Sequence, residues 1–303
     1  MTTSVTHKPS NCQGFVSCDA HVDSLWVLSG NAMQQSPPTV DQVRMQFGGL
    51  DKAVFALYLS DNLQERLGDE ASWRAIQLQI ATARMNFSGH YLALEGARVL
   101  GRDDVTMALR LKQLKDVGIK YLTLVHNSNN IWAGSATDPT REIGLTRRGQ
   151  DLIEECDLHD ILVDLSHASD PTIADVLSRS RGPVIASHSG CRAITPHPRN
   201  LTDAQILQIA GVGGVVCVPF AQKFVGSLAG IGQHIEHVAS VTGSIDHVGI
   251  GSDLDGAHMV AGVNGAEDWS KVVVDELQRR GLTDEAIGKV AGGNLQRLFG
   301  TQG

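Results

Sequence analysis

Short apolar segments alternate with longer amphipathic ones along the chain. Residues 53–59 form an unbroken apolar run of strand length, which is typical of a strand buried on both faces in a parallel sheet. Seven further segments of this kind lie at 15–19, 91–94, 120–125, 161–165, 183–187, 214–218 and 247–251. A polar loop is expected at 31–39. Apolar spacing predicts helices at 40–47, 62–86, 103–117, 146–158, 171–180, from about 202, and at 234–242, 266–280 and 284–299.

This order of elements is the order found in a (β/α)8 barrel. Eight strands alternate with helices, no linker or change of composition separates them, and 303 residues is close to the usual size of such a barrel. The 42% apolar content and the 32 glycines agree with a large core and many tight turns. We therefore expect an α/β protein in which residues 1–303 form a single TIM-type barrel domain.

His21 and Asp23 stand at the exit of the first predicted strand. In an extended strand, residues two apart point to the same face. An imidazole nitrogen and a carboxylate oxygen can therefore converge there on one divalent cation. By itself such a pair is weak evidence, because a His and an Asp two apart often occur by chance on a surface loop.

Further candidate ligands follow other predicted strands in the same way. They are Glu95, His126, His167, His188 and Asp253, each placed just after an apolar run. Barrel enzymes carry their catalytic groups on the face where the strands end. Histidines used only for packing would have no reason to be sorted to these positions, so the ordering predicts one catalytic face.

The residue types at this face suit a pair of metal ions. Three histidines, an aspartate and a glutamate could hold two zinc-like ions, and a glutamate is long enough to bridge them with its two oxygens. A hydroxide held between ions about 3.5–4 Å apart is a nucleophile at neutral pH. Asp253 could accept or relay its proton. The barrel is thus expected to be of the metal-dependent hydrolase type.

Charge and cysteine content narrow the function classes. Lys and Arg number 25 against 33 Asp and Glu, a net charge of −8 that offers no basic surface to nucleic acid. The five cysteines are odd in number and lack CxxC spacing, which favours a reducing compartment over a disulfide framework. No signal peptide, transmembrane helix or lipid-anchor signal is visible, so we expect a cytoplasmic protein that does not bind membranes.

Nine segments in order along the chain resemble one family. They are AHVD, ALEGA, LTLVHNSNN, GLTRRGQ, LVDLSHAS, VIASHSG, PRNLTD, VGIGSDLDG and GGNLQRLF, spread from about residue 16 to 299. Together they resemble the membrane (renal) dipeptidase family, the M19-type metallopeptidases. Members of that family are barrel-fold, two-zinc hydrolases that cleave dipeptides and often accept a D-residue on the C-terminal side.

The resemblance implies a role for each candidate residue. His21 and Asp23 would bind one zinc, His167 and His188 the second, and Glu95 would bridge the two ions and so take part in catalysis. His126 would contact the substrate carbonyl and stabilise the developing oxyanion. Arg199 would pair with the substrate carboxylate, and Asp253 would hold the substrate amino group and handle the proton. Asp255 is expected to be a turn former or a supporting residue.

Some segments depart from the family pattern. ALEGA replaces the more usual EGG after the bridging glutamate, the segment between the second strand and Glu95 is short, and PFAQKF after the seventh strand differs from the animal enzymes. These regions shape the side-chain pockets. They put the exact dipeptide in doubt, while the metal chemistry is unaffected. Family members often form homodimers, but no feature of the sequence shows a dimer here.

Simpler interpretations remain for several residues. His126 could belong to an Asn-rich turn, Arg199 could be a solvated loop charge, and Asp253 could form a turn before Gly256. Two other functions also stay open. One is a related amidohydrolase with two metals that acts on N-acyl amino acids or another non-peptide amide or lactone. The other is a barrel that binds metal or a small ligand without turnover.

Overall fold

The computed structural model describes residues 9, 12, 14–30 and 37–300. Eight parallel strands form one sheet in the order of the chain, each hydrogen-bonded to the next. They are β1 (Cys18–Val22), β2 (Lys52–Tyr58), β3 (Tyr91–Glu95), β4 (Ile119–Thr123), β5 (Leu162–Asp164), β6 (Ile185–Ala186), β7 (Val215–Val218) and β8 (Val248–Ile250). Each lies within or next to an apolar run of the sequence.

The sheet curls so that its first and last strands meet. The backbone N–H of Asp23 donates to the carbonyl of Leu254 at 2.8 Å, and the N–H of Asp253 donates to the carbonyl of His21 at 3.1 Å. Val22 and Leu254 form a parallel bridge. These contacts join the end of β1 to the segment that follows β8, so the predicted (β/α)8 barrel is confirmed.

Helices surround the barrel. They are α1 (Ser24–Leu28), α2 (Gln42–Gly48), α3 (Asp61–Leu67), α4 (Asp69–Asn86), α5 (Asp104–Val117), α6 (Arg147–Leu158), α7 (Asp170–Arg179), α8 (Asp203–Gly211), α9 (Gln222–Val225), α10 (Leu228–Thr242), α11 (Glu276–Arg279), α12 (Asp284–Gly288) and α13 (Asn294–Phe299). Short 3-10 turns lie at Ala97–Leu100, Ile245–His247 and Ala266–Asp268, and π-helical turns at Lys271–Asp275 and Lys289–Gly293.

The helix predicted at 62–86 is two helices. α3 ends and α4 begins at Gly68, whose φ of 75° and ψ of 173° interrupt the helical backbone. Residues with a side chain rarely adopt this backbone conformation, so a glycine is needed at the break. Charged and apolar residues continue at helical spacing on both sides of Gly68, which explains why the pattern predicts one helix. α10 likewise begins at Leu228, six residues before the predicted start at 234.

Two apolar clusters make up the core. The larger one packs the outer faces of the strands against the helices and includes Phe55, Leu57, Trp132 and Trp269. The smaller one joins inward-facing residues such as Ala93 and Tyr121 to Leu295, Leu298 and Phe299 of α13. α13 therefore packs against apolar residues of the barrel interior, and the polar residues collect towards the ends of the strands.

Parts of the expected organisation fall outside the described residues. The predicted loop at 31–39 is described only from residue 37, and most of the first 13 residues and the last three are not described. The sequence features of both termini therefore stay predictions. Among the residues that the structure describes, no helix combines the length and the apolar character needed to cross a bilayer.

Candidate metal centre and active site

The predicted site residues meet at one end of the barrel. His21 is the fourth residue of β1 and Glu95 is the last of β3, while Asp23, His126, His167, His188 and Asp253 each follow a strand within three residues. Arg199 reaches the same place from the loop between β6 and α8. Most of these side chains, with Trp26, Tyr58, Lys223 and Phe224, line a cavity of about 280 Å³. The structure thus brings together every residue that the sequence singled out.

Glu95 is the centre of the cluster. Its Oε1 atom lies 3.1 Å from Nε2 of His167 and 3.7 Å from Nε2 of both His21 and His188. Nε2 of His21 is also 3.4 Å from Oδ2 of Asp23, and the Nε2 atoms of His167 and His188 are 3.0 Å apart. One carboxylate oxygen therefore faces three imidazole nitrogens that come from three different strand ends.

Several polar atoms of the cluster are buried without a hydrogen-bond partner. They are Nε2 of His21, Oδ1 of Asp23 and Nδ1 of His167. An unpaired buried polar group costs folding free energy, so it calls for an explanation such as a bound ion. Potential ligand atoms lie within 4.8 Å of one another in three sets: His21, Asp23 and Glu95; Glu95, His126 and His167; and His21, His188 and Asp253. The donor types and their spacing fit divalent cations.

The shifted pKa values of the cluster also favour a site for cations. Burial raises the pKa of Glu95 well above its usual range, and the neighbouring Asp23 raises it further. Burial and Asp23 raise the pKa of Asp253 to about 7. Burial opposes protonation of His21, but Asp23 and Glu95 outweigh burial and raise its pKa to about 10. Three carboxyl groups are crowded together here, and a bound cation would favour their ionised forms.

Hydrogen bonds fix the orientation of His21. The Tyr121 hydroxyl donates to the carbonyl of Ala20 at 2.7 Å and lies 2.8 Å from Nδ1 of His21. A tyrosine has one hydroxyl proton, so Nδ1 of His21 must donate to the tyrosine oxygen. In the neutral form of His21 the lone pair is then on Nε2, which faces Asp23 and Glu95. This is the tautomer that a metal-binding imidazole needs.

His188 is held in an equivalent way from the other side. Its Nδ1 lies 2.9 Å from the Ser187 hydroxyl, which donates to Oδ2 of Asp164 at 2.7 Å. Because the Ser187 hydroxyl donates its hydrogen bond to Asp164, its oxygen accepts from Nδ1 of His188. Nε2 of the neutral imidazole is then the acceptor. Asp164 is buried and also accepts from Thr123 and from the backbone N–H groups of Ser166 and Ser187.

His126 and Arg199 line the same cavity. Burial, with a contribution from Arg199, lowers the pKa of His126 to about 3, so its imidazole is neutral. Its Nδ1 lies 3.3 Å from the Tyr58 hydroxyl. Arg199 is only 5% exposed, its Nη2 atom has no hydrogen-bond partner, and its guanidinium lies over the Phe224 ring. A buried arginine with unused donors is poised to bind an anion.

The backbone around Asp253 is unusual. Asp253 and Asp255 have φ angles of 64° and 68°, in the left-handed region that non-glycine residues seldom occupy, and His167 has a φ of 68°. Asp255 accepts hydrogen bonds from Ser24 and Thr39, as expected of a supporting residue. A side chain on Gly256 would collide with the carboxylates of Asp23 and Asp253. Glycine therefore keeps this edge of the site open.

The sequence interpretation missed the residues that support this cluster. Tyr121 contacts His21, Tyr58 contacts His126, and Asp164 acts on His188 through Ser187, but the sequence interpretation singled out none of the three. Asp19 is also buried beside the site, where burial raises its pKa to about 6 and its Oδ1 accepts from the N–H groups of His21 and Ser252. Strand alternation is the signal that could have found Tyr121 and Asp164, because both are polar residues within otherwise apolar strands.

Comparison with known proteins identifies the family of this chain. Residues 78–302 match the sequence profile of the membrane dipeptidase family, peptidase family M19. The chain belongs to this family. The dipeptidase verJ of Clonostachys rogersoniana is 37% identical over 197 residues, which is 62% of this chain and 50% of that protein. A protein of Schizosaccharomyces pombe named as an uncharacterized dipeptidase is 36% identical over 200 residues, 63% of this chain and 48% of that protein.

These alignments span about half the length of the two curated relatives. Solved structures cover more of the chain. A metallopeptidase from Rhodobacter sphaeroides, liganded with a phosphinate mimic of the dipeptide L-Ala-D-Ala, has a TM-score of 0.78 and 23% identity, covering 94% of this chain and 98% of its own. Dipeptidase AC of family M19 has a TM-score of 0.78 and 24% identity over the same shares of both chains. At this identity the two structures support the barrel fold.

Proposed function

We propose that this protein is a zinc-dependent dipeptidase that hydrolyses small dipeptides, including those with a C-terminal D-residue. One observation carries the proposal: a carboxylate facing three imidazole nitrogens shares a small cavity with a buried arginine that has unused donors. The carboxylate with its three imidazoles suits a metal site that hydrolyses an amide. The arginine suits a free carboxylate on the substrate. Membership of the M19 family supports the same activity.

The candidate ligands divide into two sets around Glu95. His21 and Asp23 would hold one zinc ion, His167 and His188 the other, and Glu95 would bridge the two. Ions bound there would polarise the scissile carbonyl and lower the pKa of a water molecule so that it can attack at neutral pH. Tyr121 and the pair of Ser187 and Asp164 would keep the imidazole lone pairs directed at the ions.

The remaining residues would bind and orient the dipeptide. Arg199 would take the free carboxylate through paired N–H donors. Asp253 would hold the amino group and carry the proton to the leaving amine. Neutral His126 would donate from Nε2 to the oxygen that becomes negative, because the Tyr58 hydroxyl is placed to donate to its Nδ1. These groups approach the scissile bond from the carboxyl, amino and carbonyl sides.

Hydrolysis assays on a small panel of dipeptides and N-acetyl amino acids test the proposal. L-Ala-D-Ala, L-Ala-L-Ala and Gly-D-Ala are compared with N-acetyl amino acids on zinc-loaded and on chelated protein. Cleavage of free dipeptides that disappears with the chelator and returns with zinc is expected. Cleavage of the N-acetyl amino acids alone would instead favour a related amidohydrolase. If protein shown to contain zinc hydrolyses none of these compounds, the proposed substrate class is contradicted.

Other properties belong to the same proposal. Cys18, Cys156, Cys191 and Cys217 are buried thiols without a disulfide, which supports a reducing compartment such as the cytoplasm. We also propose that residues 1–303 act as one catalytic domain, with no nucleic acid or membrane as a partner and with a homodimer as the assembly. Light scattering after size-exclusion chromatography measures the assembly, and limited proteolysis of the full chain tests the single domain.

A further inference from the structure

A second cation lies beside Arg199 in the cavity. The guanidinium carbon of Arg199 is 5.2 Å from the centre of the Phe224 ring, and Nζ of Lys223 is 4.6 Å from the same centre. Both side chains line the cavity that also contains Glu95 and Asp253. Because both cations border one cavity of about 280 Å³, a single small ligand can contact both of them.

The two cations differ in depth. Arg199 is buried on the cavity wall, whereas Lys223 is exposed at its mouth. Within the described part of the chain neither forms an ion pair, although other cations such as Lys112, Arg192 and Arg280 do. A lysine on the outer surface is normally solvated and does not indicate a binding site. Lys223 is different because its charge is directed at a site that already contains one unpaired cation.

The electrostatics place the Lys223 ammonium on the side of the cavity. Its pKa is lowered, first because the ammonium is partly withdrawn from water and also because Arg199 is near, while Asp253 and Glu95 oppose the shift. The pKa of His197, whose ring packs against Phe224, is lowered by burial and then by Arg199 and Lys223. This wall is therefore electropositive, in contrast to the wall that holds Asp23, Glu95 and Asp253.

The backbone holds the two cations in a fixed relation. The side-chain amide of Asn200, next to Arg199, donates to the carbonyls of Thr195 and Phe224 at 2.9 Å, and its oxygen accepts from the N–H of Gly190 at 3.0 Å. Asn200 thus ties the loop before α8 to α9, which carries Lys223. Buried hydrogen bonds therefore fix the backbone that carries Arg199 relative to the backbone that carries Lys223, although the lysine side chain itself is exposed.

We propose that Lys223 binds a second carboxylate, so that the site favours dipeptides whose C-terminal residue is aspartate or glutamate. The inference rests on the proposed function, in which Arg199 takes the main-chain carboxylate. The extra charge would belong to the C-terminal residue, because Lys223 shares the Phe224 ring with Arg199, to which the main-chain carboxylate is assigned. A neutral side chain would leave the lysine charge uncompensated.

Matched substrates measure this preference without depending on absolute rates. L-Ala-D-Glu is compared with L-Ala-D-Gln, and L-Ala-D-Asp with L-Ala-D-Asn, since each pair differs only in charge. We expect kcat/KM to be higher for the acid by about fivefold, the upper end for an ion pair with an exposed side chain. Lys223→Met should reduce the ratio to near one, and Lys223→Glu should invert it. Lys112→Met, on α5, is the control that should keep it.

The dependence of the acid preference on salt concentration is a second readout, because dissolved ions screen the exposed charge of Lys223. The acid preference should fall between 0.05 and 0.5 M NaCl, by about threefold, and this dependence should vanish in Lys223→Met. A preference that survives in Lys223→Met, or a wild-type ratio near one, overturns the inference. Equal losses for acid and amide in Lys223→Met would overturn it as well, because they would place both cations on the same carboxylate.

Binding of the products separates this inference from the proposed function. Calorimetry on zinc-loaded protein compares D-glutamate with D-glutamine, for wild type and for Lys223→Met. Tighter binding of D-glutamate that requires Lys223 supports the acidic site even if no dipeptide is hydrolysed, in which case the proposed reaction alone is wrong. Hydrolysis of neutral dipeptides without any preference for D-glutamate would retain the dipeptidase and reject the role of Lys223.

Discussion

The two walls of the cavity are built differently. The anionic wall, with His21, Asp23, Glu95 and Asp253, is carried on strand ends and is supported from below by Tyr121, Asp19 and Asp164, all buried. The cationic wall, with Arg199 and Lys223, is carried on the loop before α8 and on the four-residue helix α9. Strands fix the groups that need accurate placement, and loops carry the groups that choose the substrate.

This contrast gives the two walls different expected responses to substitution. Changes in the anionic wall should alter metal content and turnover together. Changes in the cationic wall should alter substrate affinity and leave the metal in place. The four substitutions below test that division, beginning with the largest expected effect.

Glu95→Gln should have the largest effect. It removes the carboxylate that faces three imidazoles, so kcat/KM should fall by more than the roughly 100-fold typical of losing a residue that only supports a metal ligand. Zinc content by mass spectrometry should fall with it. The chelated variant should nevertheless melt higher than the chelated wild type. The raised pKa of Glu95 means that its ionised form destabilises the metal-free fold at neutral pH.

Glu276→Gln is the matched control for that substitution. Glu276 is also buried, but it pairs with Arg279 and Arg280. Its loss should lower the melting temperature and leave zinc content unchanged. If Glu95→Gln retains full zinc and activity, the central role of Glu95 is wrong.

Arg199→Met should raise KM strongly and change kcat less. The substitution keeps much of the packing against Phe224 and removes the donors for the substrate carboxylate, which predicts a loss in kcat/KM of about 30- to 100-fold. Arg110→Met provides the comparison, because Arg110 is also buried, with its guanidinium 5.2 Å from the Trp73 ring. An unchanged KM for free dipeptides in Arg199→Met would mean that Arg199 does not bind the carboxylate.

Tyr121→Phe tests the support beneath the anionic wall. It removes the oxygen that accepts from Nδ1 of His21, which leaves the imidazole free to take the wrong tautomer. Zinc affinity, measured by competition with a chromogenic chelator, should fall about tenfold. Tyr91→Phe, at the opposite end of the same barrel interior, should leave the affinity unchanged. Equal affinities in Tyr121→Phe and wild type would show that the tyrosine does not orient His21.

Much of the fold and the site could be predicted from the sequence. The eight strands are short apolar runs, and the candidate ligands are conspicuous because they stand after six of these runs. In contrast, the break at Gly68 was missed, because the apolar pattern continues through it and only the backbone angles reveal it.

The supporting residues and Lys223 could not be predicted for a different reason. The bond from Tyr121 to His21 joins residues 100 positions apart, and the bond from Ser187 to Asp164 joins the end of β5 to the residue after β6. Such pairs depend on which inward positions share a layer of the barrel. Lys223 is one of eight lysines in the sequence, and its position on the Phe224 ring beside Arg199 distinguishes it. Long-range register, which composition and local spacing do not contain, decides these contacts.

Asn200→Ala is the finest test of the division between the walls. Asn200 is buried and bonds to Gly190, Thr195 and Phe224, so its loss leaves one N–H and two carbonyls unpaired and loosens the loop that carries Arg199. We expect KM for free dipeptides to rise about fivefold, with zinc content unchanged and the free energy of unfolding reduced by about 2 kcal/mol.

Asn294→Ala separates the loosened loop from general destabilisation. Asn294 is equally buried and donates to two carbonyls, those of Ile245 and Val248, away from the cationic wall. It should lose a similar amount of stability while KM stays at the wild-type value. If both variants raise KM alike, the effect comes from instability and the cationic wall has no separate support. If Asn200→Ala loses zinc as well, the two walls are coupled, and the separation of metal chemistry from substrate choice is wrong.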